Sequence, residues 1–249
     1  MDVMEVMYKM MGALHKINAP VVFKGSLVLR QLINTETDLN TYRSTQDFDI
    51  DWLVKLLSKE KFEQLFQEVL ASIGFGHLRV VCVLEPKKNS NGTFNIYAEN
   101  NNPIFSIDLA KKRNEWWIEY NLPGGIAFKG SSPNKMFVDK LAVISGKAVL
   151  NRVQDINDMY LISHLKGFRL NALKDTVVET KRTIYAFEEF LTDDEVEFLR
   201  EKYDNLDDIV NPPPFELIYG RVRDFCMPFI LNITTFDMEW IVSEQKWLV

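Results

Sequence analysis

Residues 21–52 read VVFKGSLVLRQLINTETDLNTYRSTQDFDIDW, and the way this string alternates decides the fold. The apolar run Val21-Val22-Phe23 meets Lys24-Gly25-Ser26, then the apolar-periodic segment Leu27-Val28-Leu29-Arg30-Gln31-Leu32-Ile33. That order predicts strand, tight turn and helix. Gly25 lets the backbone come close to a ligand, and Ser26 stands where a helix N-cap is expected. A helix N-terminus presents free N–H groups and a positive dipole end, so the turn is a candidate phosphate seat. The stretch closes on Asp47-Phe48-Asp49-Ile50-Asp51-Trp52, whose strict alternation predicts a strand. Its apolar residues share one face and its three aspartates the other. Mg²⁺ takes oxygen ligands and combines one or two carboxylates with substrate phosphates, so carboxylates two apart beside a phosphate seat suit it. Taken alone, the Asp-x-Asp fits a half-exposed strand with a solvated acidic face better than a metal site.

The elements downstream follow from the same patterns. Residues 2–17 form an amphipathic helix stopped at Asn18-Ala19-Pro20, and 34–44 are a polar loop. A helix with Ser58 as N-cap runs to about Ile73, although Lys61 stands where a full capping box wants an acid or Gln. Residues 78–84 and 93–98 make a hairpin with a basic tip around Lys87-Lys88. Residues 104–110 form a strand with Phe105, Ile107 and Leu109 on one face and Ser106, Asp108 and Ala110 on the other. Asp108 is a lone carboxylate on an otherwise apolar or small strand. Because an unpaired buried charge is costly, it should bind metal or pair with Lys111 or Arg113. Short strands at 116–120 and 126–128 flank Leu122-Pro123-Gly124-Gly125. The chain then turns helical: about 135–145, a helix after Arg152, 171–190, and 192–203 opened by the capping box Thr192-Asp193-Asp194-Glu195. Beyond Asn211-Pro212-Pro213-Pro214, residues 215–232 read as a closing helix with a tail packed on the helical half.

Gly25-Ser26, a helix carrying Arg30, and Arg43-Ser44-Thr45-Gln46-Asp47-Phe48-Asp49 together resemble the DNA polymerase beta type of nucleotidyltransferase. More narrowly, they resemble the AbiEii/AbiGii branch of bacterial nucleotidyltransferase toxins, whose R-x-S/T-x-D-h-D strand is filled by Arg43, Thr45, Asp47 and Asp49. The branch also has a helix around a Lys-Leu pair, matched by Asp139-Lys140-Leu141-Ala142, and a later motif matched by Arg152, Asp155 and Asp158. The chain departs from it at Gln154, where a Lys is common, so no charge acts from that position. Asp155 and Asp158 are i, i+3 and share a helix face; by themselves they also fit a solvated acidic face with Arg152 as a local ion pair. The resemblance covers roughly residues 20–165.

The resemblance implies a mixed α/β (α+β) core at 1–130 and a helical domain at 131–249 that completes the active-site cleft. It implies transfer of a nucleoside monophosphate from an NTP. Two Mg²⁺ would be held by Asp47, Asp49 and Asp108, with Asp158 a further catalytic acid. Gly25, Ser26, Arg30, Thr45, Lys140, Arg152 and Asp155 would bind the NTP. The acceptor implied is tRNA or another RNA, and the partner a cognate antitoxin. Two other readings stay open: a small-molecule nucleotidyltransferase of the antibiotic-modifying kind, and an NTP- or metal-binding regulatory module without turnover.

Composition bounds these readings. The 249 residues are 47% hydrophobic and 26% charged, enough for a sizeable core without staples. Cys82 and Cys226 lie far apart in apolar surroundings, which predicts free thiols rather than a disulfide framework. The N-terminal stretch lacks a basic n-region and no apolar run reaches membrane-spanning length, so a soluble cytoplasmic protein is expected. The net charge of −6 is unevenly spread. Residues 188–210 hold ten acids against Arg200 and Lys202, while from Lys111 to Arg182 thirteen Lys/Arg face seven Asp/Glu. A basic middle keeps a polyanionic substrate open, whereas the acidic segment would suit a cationic drug. His15, His77 and His164 are isolated and expected to be structural or exposed.

Overall fold

The computed structural model describes residues 2–249 apart from 88–89, 112–114 and 123–124, together with the side chain of residue 122. The parts of the sequence reading that involve Lys88, Lys112, Arg113 and the Pro123-Gly124 turn therefore lie outside the described residues. The chain forms two compact units: residues 1–28 with 45–132, and residues 29–44 with 133–249.

In the first unit α1 (Val3–Lys16) leads into β1 (Val21–Phe23), and α2 (Gly25–Glu36) starts at the turn after it. β2 (Tyr42–Arg43) belongs to the second unit, and the chain returns to the first with β3 (Asp47–Trp52), α3 (Lys59–Ser72), β4 (Arg79–Leu84), β5 (Gly92–Tyr97), β6 (Pro103–Lys111), β7 (Trp117–Leu122) and β8 (Ile126–Ser131). Seven strands make one mixed sheet in the order β4-β5-β6-β3-β1-β8-β7. β3 is central, antiparallel to β1 and parallel to β6.

The alternation in β3 is what places it there. Phe48, Ile50 and Trp52 are buried on one face. Phe48 meets Phe23 at 5.3 Å, and Trp52 packs edge-on to Phe62 of α3 at 4.9 Å. α1 adds Val6, Met7, Met10, Met11 and Leu14, all fully buried. Each such apolar side chain stabilises the unit by roughly 1.5–3 kcal/mol, so a one-residue slip of β3 would invert many favourable burials at once.

The second unit contains α4 (Pro133–Ile144), a 3₁₀ turn at Lys147–Asn151, α5 (Gln154–Ile162), α6 (Leu170–Glu179), α7 (Glu188–Leu191), α8 (Asp193–Asp204), β9 (Ile209–Val210), α9 (Phe215–Ile230) and the hairpin β10 (Glu239–Ile241)/β11 (Lys246–Leu248). Phe137, Phe225, Trp240 and Trp247 build its core. The buried Arg221 is satisfied there, donating from Nε to Ser163 Oγ at 2.6 Å and from Nη2 to Ser163 O at 3.0 Å. His164 is structural. Nδ1 donates to Tyr160 O at 2.9 Å, and burial, helped by the Arg221 charge, lowers its pKa to about 4, so the ring is neutral.

Several expectations are corrected. The single helix over 171–190 breaks after Glu179: Lys181 and Phe187 take positive φ of 53° and 61°, and the intervening chain is tied to α4 through Tyr185 N–H to Ser145 Oγ and Phe187 N–H to Ser145 O. The capping box at Thr192 does not form, because the Thr192 hydroxyl donates back to Glu188 O at 2.9 Å. Ser58 does cap α3, accepting from Lys61 N at 3.4 Å. The polar loop at 34–44 contains β2, and the tail contains the β10/β11 hairpin. Both cysteines are free. No helix among the described residues is long and apolar enough to cross a membrane.

Candidate functional site

Gly25 has φ +74°, a backbone conformation that side chains resist, and a Cβ built on it would stand 2.4 Å from Asp49 Oδ2. The glycine is thus required twice, for the turn and for the approach of a carboxylate. The same geometry corrects the reading of Ser26. Gly25 makes the turn and α2 starts there, so Ser26 lies inside the first helical turn, 5% exposed, and is not the N-cap. Lys24 N–H donates to Asp49 O at 3.1 Å, which fixes the turn against β3.

Three carboxylates expected from the sequence come together on this sheet. Asp47 and Asp49 alternate along β3, and the parallel register sets Asp49 opposite Asp108 and Asp47 opposite Ser106. Neighbouring strands lie about 4.8 Å apart, which makes Asp49 and Asp108 immediate neighbours. Asp108 accepts from Thr93 Oγ1 at 2.8 Å, and Asp47 accepts from Ser106 Oγ at 2.9 Å. Among the described residues Thr93 holds Asp108, and no ion pair of Asp108 with Lys111 is seen; Arg113, the other partner expected, lies outside the described residues. Thr45 Oγ1 accepts from the Asp47 N–H at 3.1 Å, so Thr45 shapes the entry to the strand.

Asp51 differs from the open acidic face expected of it. It is 3% exposed, with Oδ1 2.6 Å from Lys24 Nζ. The buried charge is compensated by the residue immediately before the glycine turn. Sequence reasoning gave Lys24 no part here; the antiparallel pairing of β1 with β3, which aligns Val22 with Asp51, is the signal that would have found it.

As a cation site the acidic strand fits in donor chemistry, with hard oxygen donors held close by register and by a glycine that leaves room. In the present rotamers Asp47 and Asp108 face hydroxyls, and among the described residues no three His, Cys, Asp or Glu side chains stand as a group that would hold a metal ion.

The other sequence-selected residues gather in the second unit. Lys140 on α4 donates from Nζ to Asp155 Oδ1 at 2.5 Å and Asp158 Oδ2 at 2.6 Å on α5. Both acids are fully buried, which overturns the solvated-face reading of this i, i+3 pair. Burial alone would drive the Lys140 ammonium toward neutrality, but Asp158 and Asp155 outweigh it and hold its pKa above the ordinary value. Arg152, half exposed, reaches Asp155 Oδ2 at 2.8 Å as an ion pair whose direction falls short of a hydrogen bond. Arg30 stacks on the Tyr42 ring with its guanidinium 3.9 Å from the centroid. Asp139, named with Lys140 in the sequence motif, pairs with Lys135 and Arg182. A cavity of about 260 Å³ beneath the β10/β11 hairpin, lined by Met227, Ile233, Met238 and Trp247, touches none of the candidate residues.

No protein-family model matches the sequence, and no curated protein matches it. Solved structures do match. JHP933 from Helicobacter pylori aligns with TM-score 0.57 at 14% identity, covering 92% of this chain and 91% of that one. MenT4, the nucleotidyltransferase toxin Rv2826c from Mycobacterium tuberculosis H37Rv, aligns with TM-score 0.51 at 15% identity over 94% and 84%. A candidate nucleotidyltransferase from H. pylori gives 0.56 at 14% over 93% and 96%. The chain has the mixed α/β fold of these structures, the second and third of which carry the name nucleotidyltransferase.

Two outcomes follow from the geometry. Gly25→Ala should cost about 1–3 kcal/mol, because it forces a side chain into positive φ and against Asp49; denaturant unfolding checks it, and an unchanged midpoint would refute the close approach. Lys140→Met should destabilise by about 3–5 kcal/mol, because it removes the ammonium bonded to two buried carboxylates and leaves Arg152 and Arg43 to compensate only part of their charge. Adding Asp158→Asn should recover part of that loss, and a single variant as stable as the parent would show that the cluster is not held by charge.

Proposed function

We propose that the chain is a nucleotidyltransferase that moves a nucleoside monophosphate from an NTP to an acceptor, releasing pyrophosphate. The observation that carries this reading is the acidic strand: Asp47 and Asp49 beside a glycine turn that only a missing Cβ permits, with Asp108 in register on the next strand. The fold shared with nucleotidyltransferase-like structures supports it.

In this reading Asp47, Asp49 and Asp108 hold Mg²⁺, which when bound neutralises phosphate charge and orients the triphosphate. The backbone at Gly25 and Ser26 seats phosphate at the start of α2. Thr45 keeps Asp47 presented at the strand entry. Arg30 and Arg152 add positive charge toward the nucleotide. Asp155 and Asp158 hold the Lys140 ammonium between them, and Lys140 supplies positive charge to the nucleotide. Such a site works chiefly by positioning and electrostatics.

The narrower reading is a toxin of the AbiEii kind, acting in the cytoplasm on tRNA or other RNA and restrained by an antitoxin. It rests on the sequence resemblance and on the basic middle of the chain. The protein is incubated with each labelled NTP, Mg²⁺ and total RNA, and the label is located. Label should enter RNA with the parent protein and be lost with Asp49→Ala, with circular dichroism showing that the variant is folded. Transfer by Asp49→Ala at the parental rate would overturn the assignment.

A further inference from the structure

Arg43 is held in place by its backbone yet leaves its guanidinium unbonded. β2 pairs with β9, aligning Tyr42 with Val210 and Arg43 with Ile209. On either side, Thr41 Oγ1 donates to Asn211 O at 2.8 Å and Ser44 N–H donates to Asp208 O at 2.7 Å. The base of the Arg43 side chain is therefore fixed by a segment some 165 residues further along the chain.

Its guanidinium lies 3.7 Å from Asp158 Oδ2 and 3.8 Å from Asp208 Oδ2, both beyond hydrogen-bond length. The side chain is only 18% exposed, and among the described residues none of its five N–H donors makes a hydrogen bond. None of these nitrogens is among the buried unsatisfied atoms, so the donors are open to water, which a ligand oxygen can replace. Arg221 and Arg182 show the usual alternative, since each donates directly to a partner at 2.6–3.0 Å through Nε or Nη2. One oxygen of Asp158 and one of Asp208 are buried without a hydrogen-bond partner.

The local charges close without a ligand: Lys140, Arg43 and Arg152 face Asp155, Asp158 and Asp208. They are not held equally. Lys140 is bonded to two carboxylates, whereas Arg43 is held by charge alone. Of its two acids, Asp158 is fully buried and committed to Lys140, whereas the Asp208 side chain is 37% exposed and open to water. Burial pushes the Asp208 carboxyl above its ordinary pKa against the pull of Arg43, so this is the less settled of the two anions. A planar fork with unbonded donors suits two oxygens of one phosphate group.

We propose that Arg43 takes a phosphate group of the bound nucleotide, and that Asp208 is the counter-ion that holds Arg43 at rest and gives it up on binding. The inference rests on the nucleotidyltransferase reading above.

The test is calorimetric binding of the α,β-methylene analogues of ATP, GTP, CTP and UTP, with Mg²⁺, to the full chain. Arg43→Gln should weaken the bound analogue about tenfold or more, and Arg43→Lys, which keeps the charge and loses the fork, should weaken it by about threefold or more. Asp208→Asn should tighten binding about threefold or more by removing the competing anion, while Asp207→Asn, the same charge change on the exposed neighbour, should stay within about twofold. Parental affinity in a folded Arg43→Gln overturns the phosphate contact, and if that variant does not fold, parental affinity in Arg43→Lys does so. Weakened binding in Asp208→Asn, or a gain matched by Asp207→Asn, overturns the counter-ion role. If the parent protein binds none of the four analogues, the nucleotidyltransferase reading itself fails, and this inference with it.

Discussion

β3 must bury one face and charge the other. Phe48, Ile50 and Trp52 supply much of the sheet's contact with its helices, so the strand cannot shift without losing several kcal/mol of burial. Once that face is fixed, Asp47, Asp49 and Asp51 have no freedom of side. Pairing with β6 then sets Asp108 beside Asp49, and pairing with β1 brings the Gly25 turn onto the Asp49 carboxylate. The acidic group is thus a consequence of hydrophobic register. Its innermost member, Asp51, is neutralised by Lys24, which leaves the outer acids to face hydroxyls or a cation.

The second unit handles buried charge differently. Removing Asp155 and Asp158 from water is tolerable chiefly because Lys140 donates to both at 2.5–2.6 Å, with Arg152 and Arg43 adding positive charge. Replacement of such a pair by apolar residues of the same volume would often be neutral or stabilising. Arg43 extends the same alternation of sign out to Asp208 at distances too long for hydrogen bonds. A network satisfied at one end and loose at the other has a natural place for a ligand.

Much of this was legible in residues 21–52. Strand, glycine turn and helix, the two-faced acidic strand and the position of Asp108 on a later strand all follow from local periodicity, which burial enforces. What escaped the sequence was long-range or competitive. That Asp51 is buried with Lys24 depends on strand pairing, and that Asp208 meets Arg43 depends on a ladder between segments far apart in the chain. The Thr192 capping box failed because a nearer carbonyl took the hydroxyl, and the helix over 171–190 broke where the backbone around Lys181 and Phe187 turned to positive φ. The role of Ser26 was misplaced because α2 already starts at Gly25, whose positive φ makes the turn, so Ser26 lies inside the first helical turn.

Whether the acidic face of β3 is a cation site for nucleotide chemistry is tested most directly by crystals grown with Mn²⁺ and a non-hydrolysable NTP analogue, measured for anomalous scattering of manganese. Manganese coordinated by Asp47 and Asp49 is the expected result. Manganese bound elsewhere in the molecule, with these two carboxylates still turned away from it, would show that the acidic strand is not a cation site.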